Sequence, residues 1–394
     1  MKITAIRATP VNIPLEAPLV WSVGLYPGTS KVVVEVETDE GLTGLGESPS
    51  SDCAEVIRHV LAPRLKGFDP LDLAGCEHVC VPETRVVQNT DDASILKSWG
   101  GIEMALWDLR GKLWNLPLYK LLGGAVRKKI AFTEYFGYRT RNGKIGGENT
   151  ATAVAEYCAR MRRKHGATFF EGKLTLGDPG LEVATVKAIR KAVGDGAMLR
   201  LDANMGWSVS AARRILLEIE PCNIRNYEDP VATFEEMAKL REHSAIPFST
   251  HVPDLKRAVA LGVPDTFVIN FTLLGGIART LKFIAACEAM GVGFWCYSGE
   301  TGIGSAAYLH VVAATQWIHE PSQSLFRWQT DDVIEEGPFK PRNNVLPVPE
   351  GRGLGVTISR KSLKRCHERF LKEGPYNHYY DPCAPGKFRR LPLD

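Results

Sequence analysis

From about residue 130 the sequence alternates short apolar runs with amphipathic stretches, and this alternation restricts the possible folds more than any other feature. The runs fall at 130–136 (IAFTEYF), 167–174 (ATFFEGKL), 197–202 (AMLRLD), 224–228 (IRNYE), 247–250 (PFST), 265–270 (DTFVIN) and 293–298 (GFWCYS). Between them, stretches such as GLEVATVKAIRKAVG and GIARTLKFIAACEAMG carry apolar residues at helical spacing. Strands that alternate with helices run parallel, because each crossover helix returns the chain to the same end of the sheet. Seven such units, with an eighth strand expected near 315–330, predict a (β/α)-barrel closed over packed side chains. The alternative is an open doubly wound sheet, but no G-x-G-x-x-G opens the first βα turn.

The residues before the barrel read differently. ITAIRATPVNI and KVVVEVET alternate apolar and polar residues as strands do, and the D-E-G at 39–41 is a hairpin turn into GLTGLGE. WSVGLYPGTS reads as a Gly/Pro-containing loop. In SILKSWGGIEMALWDLRGKLWNLPLYKLLGG the residues Ile102, Ala105, Leu106, Leu109 and Leu113 recur at helical spacing, and Gly123-Gly124 is the expected stop. The chain is too long, at 394 residues, for one ordinary core. We expect an α+β capping domain over 1–128, a barrel over 129–334, and a Pro/Gly/Arg-rich segment, 335–394, that packs back on the capping domain.

Barrels of this kind place their chemistry at the C-terminal strand ends. Those ends carry Lys173, Asp202, Glu228, His251, Asn270 and Tyr297. Asp202, Glu228 and His251 close consecutive strands, 26 and 23 residues apart, one βα unit each. Three converging oxygen and nitrogen donors, two of them anionic, suit a divalent cation with positions left open for substrate. Taken singly, Glu228-Asp229 could cap the next helix and Asp202 could be a loop carboxylate; the regular spacing of the three favours the metal reading. A neutral imidazole at His251 suits manganese, iron or zinc at least as well as magnesium, and Asp254 is a fallback ligand.

Composition narrows the partners. The net charge of +3 is weak and dispersed, which argues against nucleic acid and anionic membranes. No apolar run reaches the roughly 18 residues of a membrane span, and the N-terminus lacks a signal-peptide layout. Nine scattered cysteines without a C-x-x-C pair point to thiols in a reducing compartment, so we expect a cytoplasmic protein.

Several long segments resemble the enolase superfamily, in its mandelate racemase and glucarate dehydratase branches. EVETDEGLTGLGE is similar to that family's capping hairpin, GGIEMALWDLRGKLWNLPLYKLLGG to its helical signature, TEYFGYR to a first barrel strand, and LDANMGW and EDP to its first two metal-ligand motifs. The resemblance implies removal of the proton α to a carboxylate through an enediolate, with a divalent metal, Mg²⁺ first and Mn²⁺ second, as cofactor. It implies dehydration of an acid sugar to a 2-keto acid. The alternatives are a racemase, epimerase or cycloisomerase acting on another carboxylate, or an impaired homologue that serves as a binding protein. It also implies a homo-oligomer.

The resemblance carries roles onto particular residues. Lys173 takes the place of the base lysine in a Lys-x-Lys pair whose first lysine is here Glu171. Asn270 and Tyr297 stand where the family has an Asp–His dyad, so a two-base racemisation is disfavoured and Tyr297 becomes a proton donor. Glu300 in SGETGIG is a further acid, or a carboxylate at a helix N-terminus. Trp21, Tyr26 and Lys31 fall in a capping loop, 15–31, over the distal end of the substrate, and Asn204 and Tyr135 join the substrate contacts. Residues i and i+2 of a strand share a face, so Glu171 is expected beside Lys173, holding its proton on. Glu171→Lys should then raise activity.

The capping assignment yields a first prediction. Trp21→Ala or Tyr26→Ala should change the preference among carboxylate substrates while the melting temperature stays nearly constant. Equal loss on every substrate, tracking a fall in melting temperature, would contradict it.

Overall fold

The computed structural model describes residues 1–394 apart from 91, 299, 300, 377, 378, 382, 383 and 385, and apart from the side chains of 88, 89 and 298. Glu300 and Cys383 therefore lie outside the described residues.

Strands β1 (Ile3–Trp21), β2 (Gly24–Thr38) and β3 (Thr43–Ser48) form an antiparallel sheet. The D-E-G turn joins β2 to β3, with Gly41 at φ +76°. Helix Ser94–Leu113 lies across β3. A Cβ on Gly46 would stand 2.0 Å from the Gly101 carbonyl oxygen, so this close approach requires glycine there. The helix stops ten residues before Gly123: Asn115 turns left-handed (φ +54°), and Pro117 starts a separate single turn, Leu118–Leu121. The expected loop at 15–31 is instead the far half of the β1–β2 hairpin. The pairing shifts register between Pro14 and Leu19, and only residues 22 and 23 separate the two strands.

Strand β4 (Lys129–Ala131) precedes the barrel, whose eight strands are β5 (Glu134–Arg139), β6 (Phe169–Lys173), β7 (Met198–Asp202), β8 (Asn226–Glu228), β9 (Phe248–Thr250), β10 (Thr266–Ile269), β11 (Gly293–Ser298) and β12 (Gln323–Ser324). Neighbours β5 to β12 pair in parallel, in chain order. A parallel bridge between Phe132 and Ser322, with Thr133 N donating to Ser322 O at 2.9 Å, closes the ring. The first strand departs from the expected 130–136. Its leading residues turn aside to pair with β13 (Val345–Pro347), and the barrel strand proper begins at Glu134. At its other end this strand pairs with β1, Leu19 opposite Arg139. That ladder fixes the tip of the hairpin over the barrel mouth.

Buried carboxylates dock the two domains. Glu103 of the capping helix accepts the backbone N–H groups of Ile277 (2.7 Å) and Ala278 (2.9 Å), at the start of the barrel helix Ile277–Met290. Glu47 of β3 accepts Thr301 N at 2.9 Å, at the start of helix Gly302–Ala314. Each satisfies donors that a helix N-terminus leaves open and adds the favourable dipole interaction. Burial raises the Glu103 carboxyl to about 7, against those hydrogen bonds.

The C-terminal segment divides in two. Helix Arg360–Glu373 returns to the capping sheet, where Arg369 Nη1 donates to Asn12 O at 2.8 Å and Asn12 Nδ2 to Gly374 O at 2.8 Å. The last residues leave that domain and end on barrel loops, with Leu393 N donating to Gly206 O at 2.7 Å. Eight cysteines are buried thiols, and no helix among the described residues is long and apolar enough to cross a membrane.

Inside the barrel Glu171 and Arg200 pair in register on β6 and β7 and form an ion pair at 2.6 Å, both almost wholly buried. Glu171 also accepts from Thr133 Oγ1 (3.1 Å) and Gln323 Nε2 (3.0 Å). Arg200 donates to Pro321 O (2.7 Å) and lies 4.2 Å over the Trp295 ring. Removing one partner strands a charge away from water. Arg200→Ala should cost about 3–5 kcal/mol in urea unfolding, whereas the double change Glu171→Leu with Arg200→Met should restore most of that loss. A mild single mutant would show that the pair carries little of the core.

Candidate active site

A pocket of about 270 Å³ opens at the C-terminal ends of the barrel strands, under the hairpin tip. It lies at the small end of ligand pockets, which run from about 300 to 1,000 Å³. Lys173, Asp202, Asn204, Glu228, His251, Tyr297 and Tyr135 reach it from the barrel, and Trp21, Tyr26 and Lys31 from the hairpin. Ten of the residues singled out in the sequence therefore share one cavity. Parallel register makes this possible: Asp202 stands opposite Glu228, and Glu228 opposite Ser249, so successive strand ends lie on one rim. Leu19, Gln323 and Leu325 complete the lining.

Lys173 is the cation of the pocket floor. Its Nζ donates to Asp202 Oδ2 and to Asn204 Oδ1. The Trp21 ring centroid lies 5.0 Å from Nζ, and Tyr26 meets Trp21 edge-on at 5.7 Å. Asn204 is itself fixed: its backbone N–H donates to Asp202 Oδ1 at 2.8 Å, and its φ is +46°. An Asn tolerates that left-handed conformation better than most residues, which accounts for its place after the strand.

Beside the lysine the charge is negative and closely spaced. Glu228, Asp229 and His251 each bring one donor atom within 4.8 Å of the others. His251 Nδ1 stands 2.5 Å from Asp229 Oδ2. Glu228 Oε2 is buried and has no hydrogen-bond partner among the described residues. Burial, then the charges of Asp202, Asp229 and Glu171, push the Glu228 carboxyl well above the usual range. Burial lowers the His251 imidazole, but Asp229 outweighs it and leaves His251 above its ordinary value. An orphaned buried carboxylate oxygen among oxygen and nitrogen donors suits a divalent cation. The composition of the cluster differs from expectation. Asp229 stands in it, while the Asp202 carboxylate is taken up by Lys173 and Asn204 at its edge. Asp229 is a ligand-type residue that strand spacing does not single out. Alternation turns it away from Glu228, yet at φ +41° its buried carboxylate lies within 4.8 Å of the Glu228 and His251 donors. Gln323, on a strand of two residues, gives no periodic signal at all.

Two expected site residues stand apart. The Glu171 carboxylate lies beneath the pocket on Arg200, Thr133 and Gln323 rather than against Lys173. The residue shares the face of Lys173 but sits one layer deeper, where register offers it Arg200. Glu171→Lys would therefore set a second cation against a buried guanidinium, and a gain in activity is no longer expected. Asn270 Oδ1 caps the short helix Phe271–Leu274 by accepting from Thr272 N at 3.0 Å. Glu300 lies outside the described residues. Tyr135, in the lining, is held well above its usual range by burial and by Asp202, so its phenol stays protonated and can donate.

Residues 3–123 match the family model of the mandelate racemase / muconate lactonizing enzyme N-terminal domain, and residues 153–362 match the enolase C-terminal domain-like model. A chloromuconate cycloisomerase of Pseudomonas putida is 30% identical over 387 residues, 92% of this chain and 98% of the relative. A protein named "Probable glucarate dehydratase" from Streptomyces coelicolor is 28% identical over 403 residues, 95% of this chain and 93% of its own. Among solved structures, an enolase of Pseudomonas fluorescens with bound magnesium, potassium and tartrate superposes with a TM-score of 0.86 at 25% identity, covering 95% of this chain and 93% of that one. The chain belongs to the mandelate racemase / muconate lactonizing enzyme family of the enolase superfamily.

Proposed function

We propose that this protein removes the proton α to the carboxylate of a small hydroxy acid, and that it dehydrates an acid sugar to a 2-keto acid. One observation carries the reading. Lys173 Nζ, on Asp202 and Asn204, lines the same small pocket as Glu228 and His251, which form an electron-rich cluster with the buried Asp229. A base and a cation site facing one cavity are what α-proton removal requires, because the product carries a second negative charge on the carboxylate.

Magnesium, as bound by the tartrate-containing relative, would be held by Glu228, Asp229 and His251 with Asp202 beside them, and would stabilise that charge as it develops. The chain's own groups do the rest. Lys173, in its neutral amine form, takes the α proton at Nζ and becomes the ammonium, oriented by Asn204 Oδ1 and covered by the Trp21 ring, which limits access of water. Tyr135 donates a hydrogen bond to a substrate oxygen from a phenol that remains protonated. Tyr297, which lines the same pocket, delivers a proton to the departing hydroxyl, which leaves as water. Lys31, from the hairpin, sets the charge at the distal end. Sequence similarity to cycloisomerases supports a second reading in which the same α-proton step leads to isomerisation.

The test is incubation with a set of acid sugars and Mg²⁺ in D₂O. A new 2-keto carbonyl supports dehydration, and deuterium uptake at the α carbon without net conversion supports isomerisation. Lys173→Ala should lower α-proton exchange by about 10²–10⁴-fold, the usual contribution of a general base, with metal binding retained. Undiminished exchange in that variant would place the base elsewhere.

A further inference from the structure

We propose that the C-terminal segment, residues 389–394, is a positioning element of the active site that clamps together the two loops following Lys173 and Asp202. The proposal rests on reading the pocket as catalytic.

Among the described residues, the hydrogen bonds of this segment to the barrel go to those two loops. Arg389 Nη2 donates to Leu176 O at 2.6 Å, three residues past Lys173. Leu393 N donates to Gly206 O at 2.7 Å and Leu393 O accepts from Ser208 N at 3.0 Å, which flank Trp207 in the loop that carries Asn204. The segment is held at its base. Arg389, whose side chain is 10% exposed, pairs with Asp381 at 3.0 Å, and its backbone N–H donates to Tyr379 O at 2.8 Å. Leu393 packs on the apolar cluster of the barrel, against Gly177. The same loops are tied from within: Thr175 Oγ1 (2.9 Å) and Trp207 Nε1 (3.1 Å) both donate to the buried Glu182 Oε2.

The loop between these two ties is strained. Asn204 and Met205 are consecutive non-glycine residues at φ +46° and +58°. Such conformations persist only where their surroundings hold them. Asn204 Oδ1 is a partner of the Lys173 ammonium, so whatever holds the loop also aims the base. Neither Arg389 nor Leu393 lines the pocket. They act through the loops and are positioning residues.

Three chains are compared by amide hydrogen exchange: the full chain, a chain ending at Lys387, and the full chain carrying Arg389→Ala. The amides of Asn204, Met205 and Gly206 report the loop without touching the tail, since they donate to Asp202 Oδ1, Asp229 O and Ala203 O. Both altered chains should exchange these amides at least about tenfold faster, the scale of one released left-handed residue, while helix 94–113 is unchanged. Leu393→Ile, which keeps both backbone bonds, should retain protection. With a carboxylate the full chain processes, the shortened chain should lose about tenfold or more in α-proton exchange, as a displaced catalytic group does. Unchanged loop amides, or equal acceleration in helix 94–113, would overturn the proposal. Should the full chain process no carboxylate tried, the functional reading fails, and the loop amides still decide whether the clamp exists.

Discussion

Asp202, Glu228 and Asp229 meet at adjacent strand ends with almost no exposure to water, and Glu171 lies one layer below them. Charges of one sign at such distances repel strongly in a medium of low polarity. The surrounding structure answers them with cations and donors. Arg200 meets Glu171, Lys173 meets Asp202, and His251 meets Asp229. Glu228 Oε2 is left without a donor among the described residues. The protein therefore carries a residual demand for positive charge at one point of its pocket, beside a lysine, and its functional reading follows from that imbalance.

The same use of buried carboxylates holds the architecture together. Glu103 and Glu47 reach from the capping domain to the N-termini of two barrel helices, and Asp108 accepts from Leu45 and Leu354 to join the capping sheet to the C-terminal segment. With the β1–β5 ladder, these contacts fix the hairpin over the mouth. Trp21 consequently reaches Lys173 from another domain at a defined distance. The closure of the pocket thus depends on docking groups that lie far from it.

Much of this is legible in the sequence, and the limits have physical causes. Repeat length places successive strand ends on one rim, so spacing alone collects Lys173, Asp202, Glu228, His251 and Tyr297 into one pocket. Backbone conformation does not show in periodicity, which hides Asp229 behind the alternation rule. Register is equally silent. AMLRLD reads as an apolar strand, and only pairing with β6 shows that Arg200 takes Glu171 away from Lys173. The start of the first barrel strand is hidden because IAF is as apolar as the strand that follows, although its partner, β13, lies over two hundred residues away. The composition of the tail points to the capping domain alone, because it carries no hint of the main-chain bonds at Leu393.

The central claim is that the buried anionic cluster exists to hold a cation. Calorimetric titration of the metal-free protein with Mg²⁺, beside its Glu228→Gln variant, tests it most directly. Saturable binding at one site that is lost or weakened by at least about tenfold in Glu228→Gln, which removes a charge but almost no volume, is the expected result. Equal binding in the two proteins, or none in either with Mg²⁺ or Mn²⁺, would contradict it.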